Sequence, residues 1–208
     1  MEKENKSKRK LQAAETKKNI YEAARKLAME RGIENVSVDS IVEAAGVSKG
    51  AFYVHFETKD TLTALFVDEY TMKADMDYKS FLETLPPDMP TLDILTLLGE
   101  KISDFISSKI GYENMRGLYK AHLAQTISTA ATMSYNRELY KIFTLVLEKG
   151  VRQEELREDI PVDSMAKHLI LAIRGITYEW CIRYPDFDLK EQVLDHFKIL
   201  LHGLKRRR

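Results

Sequence analysis

The stretch Ser37 to Lys59, SVDSIVEAAGVSKGAFYVHFETK, decides how the whole chain reads. Val38, Ile41, Val42 and Ala45 recur at helical spacing and predict a short helix with one apolar face. Gly46 follows, a residue that takes the left-handed conformation of a helix end at little steric cost. Val47 turns apolar surface back inward, and Ser48 is placed to cap a second helix by accepting backbone N–H bonds. That second helix is very short: Lys49, Gly50, Ala51, Phe52, Tyr53, Val54. Phe52 and Phe56 lie four apart and anchor one face, which leaves Lys49, Gly50 and Tyr53 on the other. Two short helices joined by a tight turn, the second polar on its outer side, form the arrangement that sets a helix in the DNA major groove.

Upstream, Ile20, Ala23, Ala24, Leu27 and Ala28 follow the stripe of an amphipathic helix, predicted over residues 12–31 and ended by Gly32. The first eighteen residues hold Lys3, Lys6, Lys8, Arg9, Lys10, Lys17 and Lys18 against Glu2, Glu4 and Glu15. Residues 1–11 are read as a basic disordered arm, either solvated or adding phosphate contacts. Downstream, Thr58 is placed to cap a helix that carries Leu62, Leu65 and Phe66 and runs toward residue 80. Pro86, Pro87 and Pro90 mark a loop. Apolar spacing then predicts a helix carrying Leu92, Leu95, Leu98, Ile102, Phe105 and Ile106 and broken by Gly111, helices over about 113–128, 134–153 and 162–184, and a last one from Asp186 or Asp188 to about Leu204. No strand alternation, repeat or low-complexity tract interrupts them. The fold class is therefore all-α, with about nine helices.

Composition agrees. Of 208 residues, 44% are hydrophobic and 31% charged, the balance of a globular chain with a core of its own. Nine glycines and five prolines are too few for a many-stranded fold with its turns. One cysteine, Cys181, excludes an intramolecular disulfide and a multi-cysteine metal cage. No apolar run reaches membrane-spanning length, and the charged N-terminus lacks the apolar segment of a signal peptide; both predict a cytoplasmic protein without a membrane partner. The net charge is zero, so any nucleic-acid contact depends on the distribution of charge. The five histidines are scattered, and there is no GxSxG elbow, HExxH or phosphate loop. No catalytic residue, metal ligand or cofactor is assigned.

Ile33 to Ile41, IENVSVDSI, followed by Ala44 to Phe56, AAGVSKGAFYVHF, and then Lys59, resembles the DNA-binding domain of the TetR family, the tetracycline-repressor-like transcriptional regulators. The match covers about residues 12–70, and the rest agrees in length and helical layout. The resemblance implies three parts: the arm at 1–11, a helix-turn-helix domain at 12–57, and a ligand-binding and dimerisation domain at 58–208. It implies a homodimer that binds a near-palindromic double-stranded DNA operator, acts as a repressor and is released by a small-molecule effector. A helix-turn-helix regulator without such an effector is the alternative.

The DNA candidates follow from position. Lys49 can donate to guanine O6 and N7; Gly50 lets backbone approach, and Ala51 suits a thymine methyl. Tyr53 and His55 can donate to phosphate, and Lys59 can do so beside the free amides of its helix. Ser37 and Ser48 cap and can also touch phosphate, with Thr16 and Lys17 as further candidates. Asp39 departs from members that carry a basic residue there, and is expected to stabilise the positive start of its helix. Polar or aromatic groups on otherwise apolar helices are the ligand candidates: Phe105, Met115, Tyr119 and His122, then Phe143, Arg174, Tyr178 and Trp180. Arg174 interrupts LILAIRGI and is expected to face an anionic ligand, or to pair with Glu179 or a partner-subunit carboxylate. The two apolar stripes of the penultimate helix and the seven-residue spacings of the last suggest the dimer seam: Met165, Leu169, Ala172 and Ile176 with Val193, Phe197, Leu200 and Leu204.

Overall fold

A computed structural model describes residues 2–128 and 130–206. The chain is helical, with α1 Glu2–Arg31, α2 Val38–Ala45, α3 Lys49–His55, α4 Lys59–Thr84, α5 Thr91–Asp104, α6 Tyr112–Leu123, α7 Ala130–Met133, α8 Glu138–Arg152, α9 Val162–Arg183 and α10 Leu189–Leu204. A 3₁₀ turn at Ile33–Asn35 links α1 to α2, and α5 runs on as a π-helix over Phe105–Ile110. Among the described residues the only strand-like pairing is an isolated bridge between Leu156 and Lys205. Flanking backbone bonds extend it, from Arg157 N to the Leu204 carbonyl (3.0 Å) and from Arg206 N to the Glu155 carbonyl (3.1 Å). They tie the chain's end to the loop after α8.

Local chemistry sets the helix ends. Ser37 accepts from Ser40 N, and the Ser40 side chain accepts from Ser37 N in return, closing a capping box on α2. Gly46 sits in the left-handed region (φ 66°, ψ 35°), and Val47 N reaches back to the Val42 carbonyl at 3.0 Å, the bond that closes a helix C-terminus. Ser48 accepts from Ala51 N, Thr58 from Thr61 N and Asp188 from Glu191 N, capping α3, α4 and α10.

Two apolar cores lie along α4. Ile20, Ala24, Ile41, Phe52, Phe56, Leu62 and Phe66 close the first, with Tyr70 packed at its edge. Ala74 and Tyr78 enter the second, which α5, α8, α9 and α10 build around Leu95, Leu98, Phe143, Leu147, Leu169 and Phe197. An alanine-sized side chain at Gly99 would put its Cβ 2.9 Å from the Phe197 ring, so the glycine permits the close packing of α5 on α10. Cys181 is buried here, and burial pushes its thiol up to about 11; it stays protonated and packs beside Trp180 as an apolar group.

Three expectations need correction. Residues 2–11 are not a disordered arm but the first turns of α1, because the segment is rich in strong helix formers and has neither glycine nor proline. The domain boundary is not at 57/58. α4 starts at Lys59 and runs unbroken to Thr84 through both cores, which divide along it between Tyr70 and Ala74. The helix predicted to reach 128 ends at Leu123, where Gln125 turns to φ 57°; α7 is an extra turn before α8.

Candidate DNA interface and effector cavity

Ser37, Ser48, Lys49, Gly50 and Tyr53 are exposed, and Ala51 and His55 are half-buried. α3 lies against the first core through Phe52, with the Tyr53 ring edge-on to Phe52 at 5.4 Å. The outer side of α3 therefore carries Lys49, Gly50 and Tyr53, as expected. It also carries Val54, 80% exposed, which the sequence reading passed over. An apolar side chain so far out of the core suits a thymine methyl. Lys49 is not free, because its Nζ lies 2.8 Å from Asp39 Oδ1. That hydrogen bond and the carboxylate's charge raise its pKa. Asp39 is in the first turn of α2, so it serves the helix start and Lys49 together. Thr16 donates to the Gln12 carbonyl within α1, and Lys17 is exposed, its ammonium 5.7 Å from the Phe56 ring centroid.

Lys59 points elsewhere. Its ammonium donates to the carbonyls of Ile33, Glu34 and Val36 at 3.1, 3.3 and 3.1 Å, which uses all three of its protons. It closes the end of the 3₁₀ turn against α4 and has no free donor for phosphate.

Behind this unit lies a cavity of about 160 Å³. Ala28, Ile33, Thr63 and Phe66 wall it from the first core, and Tyr70, Tyr78, Ile102, Phe105, Ile106 and Ile110 from α4, α5 and the π-helix. A π-helical turn is wider than an α-turn and is common at functional sites; here three of its residues face the cavity. Met115, Tyr119 and His122 line it from α6, and Ile173, Arg174 and Thr177 from α9. Of the sequence candidates, Phe105, Met115, Tyr119, His122 and Arg174 meet there. Phe143 does not, being buried in the second core. Trp180 packs edge-on to Tyr112 and Tyr184 at 5.8 and 5.6 Å, and Tyr178 is exposed, edge-on to Tyr119.

The polar wall is ordered. Arg137 Nε and Nη2 clamp Asp75 at 2.7 to 3.0 Å, a buried bidentate pair that the sequence reading missed. Its one signal was Asp75 on the apolar side of α4, three residues from Tyr78. Tyr119 donates to the Arg174 carbonyl at 2.9 Å, and burial pushes its hydroxyl well above the ordinary range. His122 is buried; Nε2 lies 3.3 Å from the Thr132 hydroxyl, while Nδ1 has no hydrogen-bond partner. Burial lowers its pKa, so the ring is neutral near pH 7. The expected Arg174–Glu179 pair is absent, since Glu179 meets Arg183 instead at 3.4 Å.

The predicted dimer seam is also largely inside the subunit. Met165, Leu169, Val193 and Phe197 are buried in the second core, and Ala172, Ile176, Leu200 and Leu204 pack against it, partly buried. Leu171, Tyr178 and Ile182 on α9 and Ile199 on α10 are the apolar residues these helices expose.

Residues 20–64 match the family model for bacterial regulatory proteins, tetR family. Over this N-terminal unit the chain is similar to the TetR family. It is 26% identical over 209 residues to the HTH-type transcriptional regulator AcrR of Shigella flexneri, covering 93% of this chain and 91% of that one. It is 28% identical to the HTH-type transcriptional repressor BepR of Brucella suis, covering 86% and 87%. Its fold matches that of FadR from Thermus thermophilus, a TetR-family repressor solved with lauroyl-CoA, with a TM-score of 0.67, 19% identity and coverage of 92% and 96%. The chain is a DNA-binding transcriptional regulator, and its relatives are regulators rather than enzymes. No helix among the described residues is long and apolar enough to cross a membrane.

Proposed function

We propose that the chain is a homodimeric repressor of a near-palindromic operator, released when a small molecule fills the cavity between its two cores. One observation carries the release step: the cavity's walls belong to both units. Ala28, Ile33, Phe66 and Tyr70 come from the unit that holds α3, and Tyr78, Ile102, Ile106, Met115 and Ile173 from the unit that packs α5 to α10. A ligand there touches both, so its binding energy depends on how they sit together, which is the requirement for shifting an equilibrium. α6 supplies a second link, since Asn114 Oδ1 accepts from Ile33 N at 3.2 Å and Lys120 meets Glu34 at 3.0 Å. Both contacts fall on the 3₁₀ turn that Lys59 closes.

The face formed by Leu171, Gly175, Tyr178 and Ile182, with Ile199 and Gly203 beside it, supports pairing of two copies. Its large residues are exposed, and nothing lies within 4 Å of a Cβ built on either glycine. Two-fold pairing would present two α3 helices to successive major grooves about 34–36 Å apart. On each, Lys49, Gly50, Ala51, Tyr53 and Val54 meet base edges or nearby phosphates. Ser37, Ser48, His55, Thr16 and Lys17 set register on the backbone.

The test is selection from a random duplex pool with ligand-free, full-length protein. The expected product is a palindrome whose half-sites are one helical turn apart. Ile182→Glu should monomerise the protein in sedimentation and lose the palindrome. Enrichment of a single half-site by the wild-type chain would reject the dimer.

A further inference from the structure

The cavity holds a positive charge that no carboxylate among the described residues pairs with. Three arginines line it, of which Arg25 pairs with Glu22 at 2.9 Å. Arg137 is neutralised by the bidentate clamp on Asp75. Arg174 is half-buried on α9, and its Nη2 donates to the Thr132 carbonyl at 2.9 Å. Its guanidinium faces the Tyr135 ring at 5.9 Å. Among the described residues no carboxylate pairs with it. Burial, and then the like charge of Arg137, lower its pKa. A guanidinium carries five N–H donors in a fixed fork, and the bond to the Thr132 carbonyl uses one of them. Keeping such a charge half out of water is costly unless something pairs with it.

A second unsatisfied group lies beside it. His122 is 9% exposed, and its Nδ1 has no partner. Thr132 joins the two, its carbonyl accepting from Arg174 and its hydroxyl meeting His122 Nε2. In the tautomer where Nε2 accepts that hydroxyl proton, Nδ1–H is a spare donor. An open guanidinium fork and a spare imidazole N–H, tied to one threonine, make a receptor for a planar anion. The cavity beyond is apolar and aromatic, walled by Phe66, Tyr70, Tyr78, Ile102, Phe105 and Ile106.

We infer that the effector is an amphiphilic acid, its carboxylate held by Arg174 and His122 and its hydrocarbon body in the apolar cavity between α4, α5 and the π-helix. This rests on the reading of the cavity as the effector site. A cationic ligand would meet the Arg174 charge, and a neutral one would leave it half-buried without a carboxylate.

The test uses hexanoate, octanoate, decanoate and dodecanoate below their micelle concentrations, each beside the alcohol and the trimethylammonium amphiphile of the same chain. Binding to the full-length protein is read by calorimetry, and operator binding by fluorescence anisotropy on the same samples. At least one carboxylate should bind about tenfold or more tightly than its alcohol, the scale of one charge-assisted contact, and the trimethylammonium compound should not bind. Arg174→Gln should abolish that preference without lowering Tm, since it removes a charge with no carboxylate partner. A structural arginine would lower Tm. Equal binding of acid and alcohol, an unchanged preference in Arg174→Gln, or no binding of any carboxylate overturns the inference. Operator binding by the ligand-free protein separates that failure from failure of the regulator reading.

Discussion

The two cores along α4 bury different things. The first is closed by hydrocarbon: Ile20, Ala24, Ile41, Phe52 and Leu62 have no exposed surface. Lys59, a cation at its edge, is spent on three carbonyls. The second buries Asp75 and His122 and half-buries Arg174 around a void. A small dry core holds one arrangement, which suits a unit that must present α3 in a fixed geometry. Buried polar groups around a cavity cost stability until they are satisfied, so the second core has free energy to gain from a ligand.

The largest effect should come from breaking the pair that keeps the second core intact. Arg137→Met leaves Asp75 buried without a cation and should cost about 3–5 kcal/mol in chemical denaturation. Adding Asp75→Leu should return much of it, because the cost is the orphaned charge. If the single variant loses under about 1 kcal/mol, Asp75 is reaching water and the contrast between the cores weakens. Next comes the cation of the first core. Lys59→Met strips three carbonyls of their donor and should cost about 1–3 kcal/mol. It should also weaken DNA binding by loosening the 3₁₀ turn while leaving the salt slope unchanged. A slope shallower by about one counterion would instead return Lys59 to the phosphate contacts.

How far each region could be read from sequence follows from the range of its interactions. The helix-turn-helix was legible because Ser37, Gly46, Ser48 and Thr58 act on backbone within about five residues. The inward spacing of Phe52 and Phe56 then left the outer face by subtraction. Lys59 was misread because its partners lie 23 to 26 residues earlier, a closure that no local pattern encodes. The seam on α9 and α10 was misread for another reason. Apolar periodicity finds the face a subunit buries in itself, so it selected Met165, Leu169, Val193 and Phe197. The exposed face mixes Leu171 and Ile182 with Gly175 and Glu179 and shows no apolar stripe. Arg174 was offered Glu179, five positions on, but the helical neighbour of Glu179 is Arg183, four positions on. That left Arg174 for the cavity.

A smaller effect sharpens the account of the second core. His122 is buried with a lowered pKa, so the unfolded chain binds its proton before the folded chain does. Stability should be steady above the unfolded value of 6.5 and fall as pH drops below it toward the folded value. His122→Gln should remove that step from the pH dependence of Tm. An equal step in the variant would assign it to another group.

The smallest stability effect belongs to the DNA face, where it is read as affinity. Lys49 and Asp39 are both exposed and 2.8 Å apart, so the pair adds little to folding. What it controls is the charge that α3 offers to DNA. While Asp39 holds Lys49, the recognition helix meets random duplex nearly neutral at that point, and a guanine at the right position must compete the ammonium away. Asp39→Asn frees the cation and should leave Tm nearly unchanged, as exposed substitutions do. Binding to random DNA should tighten more than binding to the operator, and the salt slope on random DNA should steepen by about one counterion. If Asp39→Asn instead weakens binding only to operators with cytosine at one position, the carboxylate is itself accepting from cytosine N4, and Asp39 is a base reader rather than a latch.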